Sequence, residues 1–209
     1  MKVSGLIRAA RFLLPMAAGL MVVATPAQAQ FSTGYKFLEA VKKKDGEKVN
    51  TMLDAPGTTI VNTRDVTSGE TGLHIVTTRR DLTWMSFLLG KGANPNLKDV
   101  RGRTPLSIAS DMGFVEGVQL LVTNNARVDE SNDAGETPLI AAVHRRQTEM
   151  MRILLKAGAN PDRADNSGRT ARDYALLDGA DSQLVSIIKE NAKPRAAGQS
   201  NKPTYGPSF

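Results

Sequence analysis

Apolar residues in this chain come in short bursts, and the bursts recur. Leu106, Ile108 and Ala109 form one burst; Val118, Leu121 and Val122 form the next, at helical spacing. Thr104-Pro105-Leu106 reads as a helix start. The threonine can cap, and proline fits the first turn, where its missing N–H has no partner to lose. Met112-Gly113 breaks that helix, and a second is predicted from about Val115 to Val122, ended by Asn124-Asn125-Ala126. Asp129 to Gly135 is then polar and turn-rich. The same order returns from Thr137-Pro138-Leu139, through Ile153, Leu154 and Leu155, to Gly158.

The step is 33 residues. Thr71, Thr104, Thr137 and Thr170 keep it, as do Gly69, Gly102, Gly135 and Gly168, and so do Asp99, Asn132 and Asp165. A fixed step of this length marks stacked units, each burying its apolar face against the next. Gly92, Asn125 and Gly158 share the place after the second helix. That place calls for a left-handed residue, and asparagine is the usual substitute for glycine there. Residues 35–54 read as a first unit without the Thr-Pro opening; Ala40 to Val76 is 36 residues, so the first junction carries three extra. The last unit has Arg172 where Leu106 and Leu139 stand elsewhere, and Asp173, Asp178 and Asp181 add polarity. Terminal units need a solvated outer face, so both ends read as caps of an array of about five repeats.

Thr137-Pro138-Leu139, Ala141-Ala142, Leu154-Leu155 and Ala157-Gly158-Ala159-Asn160 resemble the ankyrin repeat family, and the resemblance extends over about residues 33–191. It implies an all-α repeat solenoid in which each helix–turn–helix is followed by a hairpin-like finger. It also implies a non-catalytic module that binds a partner protein through a concave face and finger tips. His74 follows Thr71-Gly72-Leu73 in the family's histidine slot, where the ring hydrogen-bonds between neighbouring repeats. The turn between the two helices would lie along the concave rim.

The ends change the picture of where the protein works. Lys2, Arg8 and Arg11 precede an apolar run from Phe12 to Val23, and Ala27-Gln28-Ala29 offers small residues to a signal peptidase. Residues 1–29 are therefore expected to be a cleaved secretory leader, leaving no stable membrane anchor. Residues 30–191 would be the repeat domain, and 192–209 a disordered tail in which Tyr205 and Phe209 could dock. The chain has 27 basic and 21 acidic residues; the leader holds three of the basic ones, so the mature excess is three. That is weak support for nucleic acid, and none is expected as a partner. There is no cysteine, hence no disulfide and no lipidated cysteine behind the leader. A periplasmic or secreted monomer is expected.

Catalytic constellations are not found. The two histidines, His74 and His144, fall in different repeats, and there is no H-E-x-x-H, no G-x-S-x-G and no Walker A loop. Ser186-Ile187-Ile188-Lys189 matches S-x-x-K without its companion motifs. No enzyme activity and no cofactor are expected. Trp84 has Gly117 and Met150 as register partners, which suggests an indole packing between repeats.

Aligned repeats bring out one surface pattern. Lys43-Lys44, Arg79-Arg80 and Arg145-Arg146 share the inter-helix turn, with Met112-Gly113 in the same place and His144 beside it. The six cations would line one edge and suit an acidic protein partner, arginine giving bidentate contacts to carboxylates. The alternative is a set of solvated turns in which cations favour helix C-termini. As exposed residues they would tolerate charge reversal without loss of folding. The finger tips, such as Val100 and Arg101, are a second candidate. Two narrower roles remain open: an immunity or inhibitor protein that blocks a toxin or hydrolase, and an accessory to a periplasmic oxidative-stress enzyme.

Overall fold

In the computed structural model, residues 33–192 are described apart from Pro56 and Asp181. The expected leader, and the expected tail beyond residue 192, lie outside them. Each repeat contributes two helices packed on each other: α1 (Thr33–Lys42) with α2 (Gly46–Leu53), α3 (Gly72–Thr78) with α4 (Leu82–Gly90), α5 (Pro105–Asp111) with α6 (Val115–Thr123), α7 (Pro138–His144) with α8 (Thr148–Lys156), and α9 (Ala171–Leu177) with α10 (Gln183–Asn191). With a short 3-10 turn at Ile60–Asn62 and no named strand among the described residues, this is an all-α repeat solenoid.

The first helices α1, α3, α5, α7 and α9 pack in series, and so do α4, α6, α8 and α10. At seven residues, α3, α5, α7 and α9 are too short to hold alone, so stacking must stabilise them. Leu73, Leu106 and Leu139 are fully buried at one register place, and Leu88, Leu121 and Leu154 at another. Arg172, at the leucine place of the last repeat, is half-buried and donates through Nε to Asp162 Oδ1 at 3.0 Å.

Capping follows the threonines. Thr71, Thr104, Thr137 and Thr170 each accept the N–H of the residue three places on through the side-chain oxygen. Three of them receive a bond in return. His74 Nδ1 accepts the Thr71 N–H at 3.1 Å, Ser107 Oγ the Thr104 N–H at 3.0 Å, and Asp173 Oδ2 the Thr170 N–H at 2.9 Å. Ile140 fills the fourth place and cannot reciprocate. Each cap is worth about 1 kcal/mol. The place after the second helix is left-handed as expected, with φ of 85° at Gly92, 63° at Asn125 and 94° at Gly158.

Two ladders tie the repeats together. Asn62 Oδ1 accepts the Asn94 N–H at 2.7 Å, Asn96 Oδ1 the Arg127 N–H at 2.7 Å, and Asp129 Oδ1 the Asn160 N–H at 2.9 Å. At the fingers, Val100 N–H donates to the Ser68 carbonyl at 3.0 Å, Asp133 N–H to Arg101 at 3.2 Å, and Asn166 N–H to Ala134 at 3.1 Å. These ladders also place the three extra residues of the first junction. Leu53 to Asn62 is nine residues where Leu89 to Asn96 is seven, which accounts for two. The third lies in the first finger. It closes from Asp65 N–H to the Glu70 carbonyl at 2.8 Å, whereas the second closes from Asp99 to Arg103 at 2.9 Å, one residue sooner.

Trp84 needs a correction. The nearest neighbour of Gly117, its register partner, is not the indole. A Cβ at Gly117 would lie 2.4 Å from a ring carbon of Phe114, so the buried Phe114 of the same repeat fills that space. Trp84 is half-buried against the core edge, with Phe87 edge-on at 5.6 Å between centroids.

Candidate interaction surface

The inter-helix turn has one backbone in the first four repeats and a longer one in the fifth, where α10 is capped two residues later, by Ser182. Its second residue is left-handed throughout: φ is 58° at Lys44, 56° at Arg80, 63° at Gly113, 53° at Arg146 and 109° at Gly179. Glycine is the low-cost choice there, and a side chain costs on the order of 1–2 kcal/mol. Three repeats nonetheless carry a long cation.

Much of the basic row is tied within the array. Lys44 Nζ sits 2.9 Å from Asp81 Oδ2 in the next repeat. Asp81 also caps α4 by accepting the Trp84 N–H. The Lys44 ammonium, with that N–H, holds the Asp81 carboxyl below the usual range against the opposing effect of burial. Arg79 turns back onto the preceding repeat and donates through Nη1 to the carbonyls of Val41 at 2.8 Å and Lys42 at 3.2 Å. It caps the end of α1 from outside, and its Nε is buried without a partner. Arg145 pairs with Asp111 at 3.2 Å. Burial pushes the Asp111 carboxyl above its usual range, Arg145 pulls it down, and nearby Glu136 adds to the rise. Arg146 bonds to Asp178 of the last repeat. Arg80 lies over the Phe114 ring, 5.0 Å from its centroid.

Arg79 is therefore not a solvated turn residue, and reversing its charge would disturb the array. The exposed members of the row are Lys43, Lys44, Arg80, Arg145 and Arg146, with Met112 exposed in the same line. Among the described residues no ion pair is formed by Lys43 or Arg80. The sequence reading paired none of these cations with an acid. Asp81 follows Lys44 by 37 residues, Asp111 precedes Arg145 by 34, and Asp178 follows Arg146 by 32. Each spacing is close to one repeat, which was the available signal.

The histidines differ. His74 is fully buried: Nδ1 takes the Thr71 N–H, so the proton is on Nε2, which meets the Arg103 carbonyl of the next repeat at 3.1 Å. Burial lowers its pKa, outweighing the contact with Arg103 and the neighbouring carboxylates. His144 is exposed, with Nδ1 3.1 Å from Glu136 Oε1 and its ring edge-on to Tyr174 at 4.2 Å. It joins a finger base to the following repeat. The two are in different repeats and share no site. Among the described residues there is no group of three or more His, Cys, Asp or Glu able to hold a metal ion, and no helix long and apolar enough to cross a membrane.

The fingers hold themselves with their own acids. Asp99 Oδ1 accepts the N–H groups of Arg101 at 2.9 Å and Arg103 at 2.8 Å, while Oδ2 meets the Arg103 guanidinium at 2.7 Å. Burial alone would raise the Asp99 pKa, but those donors bring it below the usual range. Asp165 is treated likewise: burial is outweighed by the hydroxyls of Ser167 and Tyr174 and by the Arg169 and Ser167 N–H groups, lowering it to about 2.

A family profile described as ankyrin repeats (3 copies) matches residues 37–132 and 116–196. Over 90 residues the chain is 37% identical to the Homo sapiens protein "Ankyrin repeat domain-containing protein 63" and 38% identical to its Mus musculus namesake. Each match covers 41% of this chain and 23% of the relative, so the chain spans about a quarter of the length of these relatives.

Proposed function

The chain belongs to the ankyrin repeat family, whose arrays are in general protein–protein interaction modules and typically non-catalytic, and from that premise we propose that it is an exported, non-catalytic module that presents its concave face, turn edge and finger tips to an acidic partner protein. One observation carries the reading. Lys44, Arg80 and Arg146 occupy left-handed places where Gly113 and Gly179 stand in the other repeats. The ion pairs and ring contact that they make are largely exposed and worth about 0–1 kcal/mol each. That roughly offsets the backbone strain and leaves no stability surplus to explain the cations. Strained places of this kind cluster at functional sites. The inter-repeat ladders hold the surface preformed, so little ordering entropy is lost on binding.

The test is affinity capture of a partner from a periplasmic extract, followed by titration against a variant with Lys43, Lys44, Arg80 and Arg146 all changed to glutamate. Binding is expected to weaken at least tenfold, about 1.4 kcal/mol, and its salt dependence to flatten. A folded variant that binds normally removes the turn edge from recognition. Export is tested separately: mass spectrometry of the native protein should find a mature N-terminus at Gln30, and an intact leader would contradict it.

A further inference from the structure

The first two fingers differ from the later two in a way that turn chemistry does not require. Asp65 turns its carboxylate onto the N–H groups of Thr67 and Ser68, both at 2.9 Å, as Asp99 does in its own finger. The acids are thereby drawn inward. Val66-Thr67 and Val100-Arg101 are left at the tips, against Asp133-Ala134 and Asn166-Ser167 in the third and fourth fingers. Val66 is 99% exposed and Val100 61%. Stacking uses the tip backbone, through the Val100, Asp133 and Asn166 N–H groups; the Asn166 side chain adds a bond to the Asp133 carbonyl at 2.8 Å, a bond that a valine at the tip cannot make. Val66 stands in the finger that is one residue longer. The other three close the same turn without the addition, so the turn does not need it.

The two tips are also locked together. Val100 N–H meets the Ser68 carbonyl, and the Arg64 guanidinium donates to the Gly69 carbonyl at 3.2 Å and to the Lys98 carbonyl of the next finger. Arg64 and Arg101 are exposed, and among the described residues neither guanidinium pairs with a carboxylate. Lys98 is already tied to Glu130 at 3.0 Å. The edge formed by these two fingers thus carries two bare valines and two guanidinium groups that, among the described residues, pair with no acid. Isolated exposed valines are ordinary; an apolar pair fixed beside uncompensated arginines is a complementary surface for something acidic and apolar.

We infer that the tips of the first two fingers dock a partner-protein segment in which a bulky apolar side chain is flanked by aspartate or glutamate. The apolar group covers Val66 and Val100, and the carboxylates reach Arg64 and Arg101, whose forked donors suit them. This rests on the interaction-module reading and names the chemistry of its partner.

The test pans a library of short random-sequence peptides against the full chain. Selected peptides are then titrated against three folded variants: Val66→Ser with Val100→Ser, Arg101→Gln, and Lys43→Glu with Arg80→Glu at the turn edge. Vesicles containing phosphatidylglycerol are titrated in parallel. Selected peptides should pair an aromatic or aliphatic residue with an acid. They should bind the double-serine variant at least about tenfold more weakly and lose salt dependence with Arg101→Gln. Deletion of Val66, which restores the shorter finger, should weaken them similarly, provided circular dichroism shows the fold retained. Selected peptides that bind every tip variant normally overturn the inference and leave the module reading standing. Selection of no peptide at all overturns both for linear segments. Vesicle binding that depends on the two valines, without peptide selection, also overturns the inference, because the tips would then be a membrane edge.

Discussion

The turn edge and the finger edge are built from the same repeats and carry similar basic residues, yet the chain uses them differently. At the turn edge a carboxylate one repeat away meets the cation: Asp81 for Lys44, Asp111 for Arg145, Asp178 for Arg146. At the fingers Asp65 and Asp99 serve their own loops, Glu130 meets Lys98 of the preceding repeat, and Arg64 and Arg101 are left without an acid. What decides is where the nearest acid is aimed. A charge column read from aligned repeats is therefore not yet a binding surface. Its cations are most open to a partner where neighbouring repeats leave them uncompensated, as at Lys43 and Arg80 among the described residues.

Both edges depend on the stack beneath them, so the largest expected effect is there. Leu121 and Leu154 are 0% exposed, and Leu→Ala at either should cost about 2–5 kcal/mol by urea unfolding. Losses below about 1 kcal/mol at both would mean that the edges are held by something other than the core. The next effect separates two adjacent residues. Arg79→Gln removes charged donors from the Val41 and Lys42 carbonyls and should cost about 1–3 kcal/mol. Arg80→Gln, on the exposed side of the same turn, should stay within about 0.5 kcal/mol. Equal costs would erase the distinction between the tied and open parts of the turn edge.

The inter-repeat bond of His74 was implied by the family resemblance. The 33-residue step was enough to read the helix pairs, the threonine caps and the left-handed Asn125. All of these are backbone demands repeated at fixed intervals, and a repeat exposes such demands to alignment. Side-chain reach is not visible in that way. Trp84 was aligned with Gly117, but whether an indole fills the space over a glycine depends on what else is near, and Phe114 was nearer. Arg79 looked like its neighbours in the basic row, but it extends backward to cap α1 while Arg80 lies over Phe114. The extra finger residue was counted in the sequence, but only the ladder hydrogen bonds place it in the Val66-Thr67 stretch.

Two smaller effects sharpen the comparison further. His74 is neutral in the fold, its pKa lowered from 6.5. The unfolded chain therefore binds more protons below that value. Stability from this site should be complete above about pH 6.5 and decline as the pH falls below it. His74→Ser, which copies Ser107 of the next repeat, should remove that part of the decline between pH 7 and pH 5.5. Unchanged pH dependence in urea melts would show that the ring is not held neutral. Smallest of all, Arg80→Gly should leave stability nearly unchanged, since relief of the left-handed strain offsets loss of the Phe114 contact. It should still weaken binding of an acidic partner.

Amide hydrogen exchange of the folded chain, with and without the partner captured from a periplasmic extract, tests the central claim most directly. A preformed module should bind without reordering its core. Exchange is then expected to slow at residues 64–70 and 98–103 and at the turn edge around residues 43–44 and 79–80. Residues 105–111 and 138–144 should exchange at the same rate in both states. Protection spread through all the helices would show that the array orders on binding, and protection confined to the second helices α4, α6 and α8 would place recognition away from both edges; either result contradicts the account.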